Sequence, residues 1–126
     1  MANIVISKDA SADDLAPLAL ALNEILRLPV TIRSASAPGV RVEKGKIIDG
    51  AYTGPILEEV LATGKLVRII PKSGTYKGIP VAVAPIKDKI GDVIAALGVV
   101  DVVSTIDFPE VFGAYPEVVR QVTEWR

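Results

Sequence analysis

The first pattern in the chain is a set of leucines and isoleucines at helical spacing. Its members are Leu15, Leu18, Leu22, Ile25 and Leu26. Residues three and four apart share one face of a helix, so the spacing predicts an amphipathic helix from Asp14 to Leu28. With Asp14 as N-cap, Pro17 falls in the first turn, where its missing N–H is tolerated. The apolar positions outnumber those that one face of a small sheet needs, so we expect this helix to contribute to a dimer contact.

Short β-prone runs follow the first helix. They are Val30 to Arg33, Val40 to Glu43 and Lys46 to Ile48, with Lys44-Gly45 as a hairpin turn between the last two. A second helix is predicted next. Thr53 can cap it, Pro55 suits its first turn, and Gly64 suits the position just after its end.

The second half of the chain repeats the β-rich pattern and closes with a helix. The runs are Leu66 to Ile70, Ile79 to Ile86 and Val93 to Val103, and the last helix ends at Trp125. Short connections between strands indicate antiparallel pairing. The order predicts one α+β domain over residues 1–126: a single antiparallel sheet of about five strands with N-terminal, inserted and C-terminal helices. Because glycine weakens a strand interior, Gly98 is expected where a side chain would press on a neighbouring element.

Composition limits the functions that this domain can have. Hydrophobic residues make up 50% of the chain and charged residues 23%, which excludes disorder and favours a homodimer. The net charge of -1 gives no field that would attract nucleic acid. Cysteine and histidine are absent, which removes the usual ligands of zinc and haem, so we expect no metal and no cofactor. No apolar run reaches the length of a membrane span, and we expect a cytoplasmic protein without a signal peptide.

One stretch resembles a known family. Residues 76–88, Tyr76-Lys77-Gly78-Ile79-Pro80 and onward, and residues 91–101, which end in Gly98-Val99-Val100-Asp101, resemble the closing hairpin of Cache and related PAS-like sensor domains. The resemblance implies a five-stranded sheet of the PAS, Cache or profilin type that cradles a small molecule or relays a signal through dimerising helices. The Arg-x-Trp element of amino-acid-binding members has no counterpart here. The whole sequence also resembles an uncharacterised archaeal family.

Four residues are the candidate ligand-binding set. Arg68 lies between Val67 and Ile69 in an apolar strand, where a guanidinium can clamp a carboxylate; the alternative is an outward-facing arginine. Asp101, which matches the Asp that ends the last strand in the resembled family, either lies in water or has a cationic partner. Tyr52 and Tyr76 offer ring faces and hydroxyls, with simple packing as the alternative. Together they predict a pocket for a small zwitterion or carboxylate.

Three function classes follow from these observations. The first is a small-molecule-binding or signal-relaying regulatory module that acts as a homodimer. The second is a structural or assembly subunit that docks on a partner protein without a ligand. The third is an enzyme, which is disfavoured because no constellation of acid, base and nucleophile can be assembled from the spacing.

Overall fold

The structure is a computed structural model that describes residues 6–103 and 108–125. Its elements, in chain order, are α1 (Ala12–Leu26), β1 (Val30–Ser34), β2 (Gly39–Glu43), β3 (Lys46–Tyr52), α2 (Pro55–Thr63), β4 (Val67–Ile69), β5 (Val81–Lys87), β6 (Val93–Val100), α3 (Phe108–Val111) and α4 (Pro116–Trp125). The α+β class predicted from the sequence is confirmed.

A single open sheet forms the centre of the described chain. Its strands lie in the order β3-β2-β1-β6-β5-β4, and neighbouring strands are antiparallel throughout. The prediction of about five strands is corrected to six. The run from Lys46 does not stop at Ile48, because β3 continues to Tyr52 and pairs with β2 as a full edge strand. β6 ends at Val100, not at Val103.

The two faces of the sheet are covered by different helices. Side chains alternate between the faces of a strand. Ile32 lies opposite Leu97, and both pack with α1 in one core. Thr31 lies opposite Gly98, which lies opposite Val83, and Val83 packs with α2 in a second core. We call these surfaces the α1 face and the α2 face. α1 lies over β1 and β2, and α2 lies over β5 and β6 on the other side.

α1 begins at a different cap from the one predicted. Ser11, not Asp14, is the N-cap: its hydroxyl accepts a hydrogen bond from the Asp14 N–H at 3.1 Å, and the Asp14 carboxylate accepts from the Ser11 N–H at 2.9 Å. This reciprocal pair fixes the start of the helix, so Pro17 lies inside it and not in its first turn. Leu18 and Leu22 pack partly against the core, whereas Ile25 is exposed. A dimer contact through α1 stays a prediction.

The two ends of α2 agree with the sequence prediction except for the N-cap. Pro55 is its first residue and Gly64, with φ of 68°, follows its end, as the sequence predicts. The N-cap is Gly54, and no side chain caps the helix. The Thr53 hydroxyl instead donates to the Glu58 carboxylate at 2.6 Å, because the chain enters the helix one residue later than expected.

The C-terminal part contains one helical turn, α3, and the longer α4. No residue of α4 is buried. Within residues 6–103 and 108–125, no helix combines the length and the apolar character that crossing a membrane requires.

Candidate functional site

A small cavity of about 40 Å³ lies on the α2 face. It is bounded by the sheet, by the start of α2, and by residues 71–79, which we call the covering loop. It is lined by Pro29, Thr31, Tyr52, Gly54, Pro55, Ile56, Leu57, Pro71, Ser73, Thr75, Tyr76, Val81, Val83, Gly98, Val99 and Val100. None of these lining residues is charged. The cavity therefore offers mainly apolar surface with a few hydroxyl groups.

Gly98 is one of the residues that line the cavity, and its neighbours leave little room for a side chain. A Cβ atom at Gly98 would lie 2.7 Å from Thr31 Oγ1 and 3.2 Å from Val83 Cγ2, both tighter than ordinary contacts. The prediction that a side chain here would press on a neighbour is confirmed. Thr31 Oγ1 therefore lies directly beside Gly98, and Thr31 also lines the cavity. Thr31 is otherwise buried, with 7% of its surface exposed.

The covering loop touches α2 on one side and folds back on itself. A Cβ atom at Gly74 would lie 3.0 Å from Pro55 Cδ, so the loop backbone passes directly beside the start of α2. The Gly78 N–H donates to the Pro71 carbonyl at 3.0 Å and closes the loop at its base. Gly74 has φ of 86°, which favours glycine, so the close passage and the backbone conformation both select this residue.

Three side chains, which we call the Tyr76 cluster, hold the covering loop to β2. The Tyr76 hydroxyl donates to Glu43 Oε2 at 3.0 Å, and Arg41 Nε donates to the same oxygen at 2.7 Å. The Arg41 guanidinium carbon lies 5.8 Å from the centre of the Tyr76 ring, within the range of a cation–π interaction. The loop is therefore anchored on a strand that is three positions away from β5 in the sheet.

The electrostatics of the Tyr76 cluster favour one set of protonation states. Burial raises the pKa of the Tyr76 hydroxyl to about 12. Burial alone would raise the pKa of Glu43, but hydrogen bonds from Arg41 and Tyr76 outweigh it, and the pKa of Glu43 is lowered. The hydrogen bond to Glu43 raises the pKa of Arg41. At neutral pH the cluster thus consists of a neutral phenol, a carboxylate and a guanidinium.

The four predicted site residues do not form one pocket. Tyr52 and Tyr76 both line the cavity, and a role for them in ligand binding stays a prediction. Arg68 pairs with Ala82, which pairs with Val99 on the α1 face, so Arg68 lies on the opposite side of the sheet. The predicted grouping is corrected for this reason: alternation along β4 directs Arg68 away from α2.

Asp101 follows β6 and is the partner of Arg68. Its Oδ1 lies 2.9 Å from Arg68 Nη1, and its side chain is 4% exposed whereas that of Arg68 is 44% exposed. The expectation that Asp101 has either water or a cationic partner is resolved in favour of the cation. The pair neutralises the buried carboxylate, so neither charge is directed at the cavity on the α2 face.

Sequence reasoning missed two residues of this region. Thr31 is not in the predicted set, although a threonine between Val30 and Ile32 indicates that the second face of this strand is less apolar than the first. Glu43 was assigned only to a strand, and nothing local indicates that it meets Tyr76, 33 residues later. Among the described residues, no group of three or more His, Cys, Asp or Glu side chains is arranged to hold a metal ion.

Comparison with known proteins places the chain in a family. Residues 22–103 match the family described as an uncharacterized protein conserved in archaea, DUF2111. The chain is 46% identical to the uncharacterized protein MJ0405 of Methanocaldococcus jannaschii over 105 residues, which cover 82% of this chain and 79% of that protein. No solved structure matches the chain. The matched span contains the whole sheet and α2, so the chain belongs to this archaeal family, DUF2111.

Proposed function

We propose that the chain is a regulatory module that acts as a homodimer and binds a small molecule in the cavity on the α2 face. The observation that carries the proposal is the cavity beside Gly98, which is lined mainly by apolar side chains and also by Thr31. Ligand sites commonly combine apolar walls with a few polar groups that orient the ligand. The covering loop and the start of α2 can respond together to a bound ligand, because both line the cavity and touch each other.

The geometry revises the proposed ligand class. A zwitterion or carboxylate was expected from Arg68 and Asp101, but these two residues neutralise each other on the other face. A charged ligand in the cavity would lose water without a charged partner, which is costly. We therefore propose a small, mainly apolar molecule that carries a hydroxyl or carbonyl oxygen. A cavity of about 40 Å³ has room for more than one water-sized group.

The proposal includes a structural relation between this chain and the PAS and Cache sensor domains. An antiparallel sheet with a helix inserted between strands supports it. The six strands and the helices on opposite faces depart from the five-stranded arrangement that the resemblance implies. The ligand hypothesis rests on the cavity itself and does not require the relation to sensors.

The second candidate is an assembly subunit that docks on a partner without a ligand. It is favoured by one specific observation: α4 has an apolar side but no buried residue. The two candidates differ in what should bind the folded protein and stabilise it. A regulatory module binds small molecules selectively, whereas an assembly subunit gains stability only from another protein chain.

The experiment is a thermal-shift screen with small alcohols, ketones and amides, alongside amino acids and short carboxylates. We expect neutral compounds to raise the Tm, because ligands that bind the folded state stabilise it by mass action. Thr31→Val keeps the shape of the side chain and removes its hydroxyl, so it should weaken binding of any hit. Arg68→Ala is the matched control and should leave the affinity unchanged. The proposal fails if no neutral compound raises the Tm, or if the hits depend on Arg68 and not on Thr31.

A further inference from the structure

The start of α2 has no side-chain cap. Gly54 is the N-cap residue, and Pro55, the first helical residue, has no N–H. The first hydrogen bond of the helix runs from the Glu58 N–H to the Gly54 carbonyl at 3.0 Å. Within the described residues, the N–H groups of Ile56 and Leu57 therefore have no partner. These are the two N–H groups that the side chain of an N-cap residue normally accepts from.

The nearby polar side chains do not supply the missing cap, because they bind one another. The Thr53 hydroxyl donates to Glu58 Oε1 at 2.6 Å. Arg33 Nη1 donates to the same carboxylate oxygen at 2.6 Å and to Thr53 Oγ1 at 3.0 Å. The Glu58 carboxylate is thus neutralised by Arg33, and the start of the helix keeps its unpaired N–H groups.

The Tyr52 hydroxyl lies beside this uncapped end. A Cβ atom at Gly54 would lie 3.0 Å from Tyr52 Oη, so the phenol lies next to the place where a capping side chain would begin. Tyr52 is 7% exposed, and its hydroxyl has no hydrogen-bond partner in the part of the chain that the structure describes. No side-chain oxygen or nitrogen there is both closed off from water and unpaired, so Tyr52 Oη borders open space. The cavity is the open space that Tyr52 lines.

Unpaired donors therefore meet at one end of the cavity, which Tyr52, Gly54, Ile56 and Leu57 all line. We propose that the ligand places a carbonyl oxygen at the start of α2, where the Tyr52 hydroxyl and an unpaired N–H group of Ile56 or Leu57 donate to it. A carbonyl oxygen offers two lone pairs and carries no proton, so it matches donors alone. The inference rests on the proposed function and narrows the ligand to a ketone, amide or ester.

The charge at this end of the cavity favours a neutral acceptor. The positive end of the helix dipole attracts an oxygen that carries partial negative charge. A carboxylate would bring a second anion to the end of α2 that already holds the Glu58 carboxylate, and no residue that lines the cavity is charged. An alcohol oxygen can accept a hydrogen bond, but its own proton needs an acceptor, which the hydroxyl and N–H donors of this end do not supply together.

Matched small molecules test the proposed acceptor. The probes are 2-butanone, 2-butanol and 2-methyl-1-butene, which have similar shapes and differ in the group that would meet the donors. We expect 2-butanone to bind about threefold or more tightly than the other two in titrations followed by amide NMR spectra, and to move the N–H signal of Ile56 or Leu57 downfield. Tyr52→Phe should weaken the binding of 2-butanone roughly threefold to tenfold and leave that of 2-methyl-1-butene unchanged. Tyr115→Phe, at an exposed tyrosine outside the cavity, is the control and should change neither.

The stability of the ligand-free protein supplies the second measurement. Because the Tyr52 hydroxyl has no partner, Tyr52→Phe should leave the Tm unchanged or raise it, whereas Tyr76→Phe removes a hydrogen bond and should lower it. A fall in Tm for Tyr52→Phe as large as that for Tyr76→Phe overturns the proposal, since the hydroxyl then serves the fold.

The ligand titrations distinguish this inference from the proposed function. If 2-butanone binds no more tightly than 2-methyl-1-butene, or if Tyr52→Phe does not weaken it, the carbonyl site is overturned while a ligand in the cavity stands. Tighter binding of isobutyrate than of 2-butanone also overturns it, because the acceptor is then an anion. If none of these compounds binds, the proposed function fails together with the carbonyl site.

Discussion

The Tyr76 hydroxyl donates a hydrogen bond to Glu43 Oε2 across 3.0 Å and 33 residues of sequence. The bond joins the covering loop to β2, so the loop crosses the α2 face and bounds the cavity there. Arg41 shares the same carboxylate oxygen at 2.7 Å. A change at this one phenol should therefore affect both the stability of the fold and access to the cavity.

Tyr76→Phe removes the hydroxyl and keeps the ring. We expect a loss of about 1 kcal/mol in the free energy of unfolding, because a hydrogen bond to a charged group contributes up to about 3 kcal/mol and the cluster is partly exposed. Urea denaturation of both proteins measures the difference. Tyr115→Phe, at an exposed tyrosine, is the control and should be neutral. Equal losses in both variants would show that the hydrogen bond has no special role.

The pH dependence of stability should carry the signature of the same cluster. The folded-state pKa of Tyr76 is raised from 10.0 to about 12, so the folded state holds this proton more tightly than the unfolded chain. The resulting stabilisation is complete below pH 10 and is lost as the pH rises through about 12. For Glu43, whose pKa is lowered from 4.5, the stabilisation is present above that value and is lost as the pH falls below it. Urea midpoints of the wild type minus those of Tyr76→Phe should decline at the alkaline end; a constant difference contradicts this account.

Gly98→Val should be destabilising by about 1 to 3 kcal/mol, because the added methyl groups press on Thr31 and Val83 beneath the cavity. Gly50 offers a matched control, since it also lies in a strand and a Cβ there meets nothing within 4 Å. Gly50→Val should be neutral or slightly stabilising, as valine favours strands. Thermal denaturation separates the two. Equal Tm values for the two variants would show that the close contact at Gly98 does not affect stability.

Arg68→Ala should lower stability and leave ligand affinity unchanged. It withdraws a cation from the Asp101 carboxylate, which is 4% exposed. Removing one partner of a buried pair costs about 3 to 5 kcal/mol, and since Arg68 is partly exposed we expect about 2 kcal/mol. Arg68→Lys keeps the charge and should recover most of the loss. If Arg68→Ala instead weakens binding of a small molecule without changing the Tm, the arginine serves a ligand.

The sequence predicted the elements better than their three-dimensional relations. Pro55 and Gly64 fixed the ends of α2 because cap chemistry is local. The start of α1 differs from the prediction because Ser11 and Asp14 form a reciprocal capping pair, which places Pro17 inside the helix. The length of β3 was underestimated because Asp49-Gly50 interrupts its apolar pattern, and an edge strand tolerates such residues.

The grouping of the candidate site residues could not be predicted in full, because it depends on contacts between distant parts of the sequence. Alternation shows that consecutive residues of one strand point to opposite faces of the sheet. It does not show which residues of another strand lie on the same face. That depends on register: Arg68 meets Ala82, and Asp101 follows β6 on the same side. The cavity also depends on Tyr76 reaching Glu43, a long-range contact that no local pattern encodes.

Methyl NMR spectra of the labelled protein, recorded with hits from the thermal-shift screen, test whether a small neutral molecule binds beside Gly98 on the α2 face. We expect shifts in the methyl signals of Thr31, Leu57 and Val83, which line the cavity, and none in those of Leu97 or Ala82 on the α1 face. Unchanged cavity signals, or shifts centred on Ala82 beside Arg68, would show that no such molecule binds in this cavity.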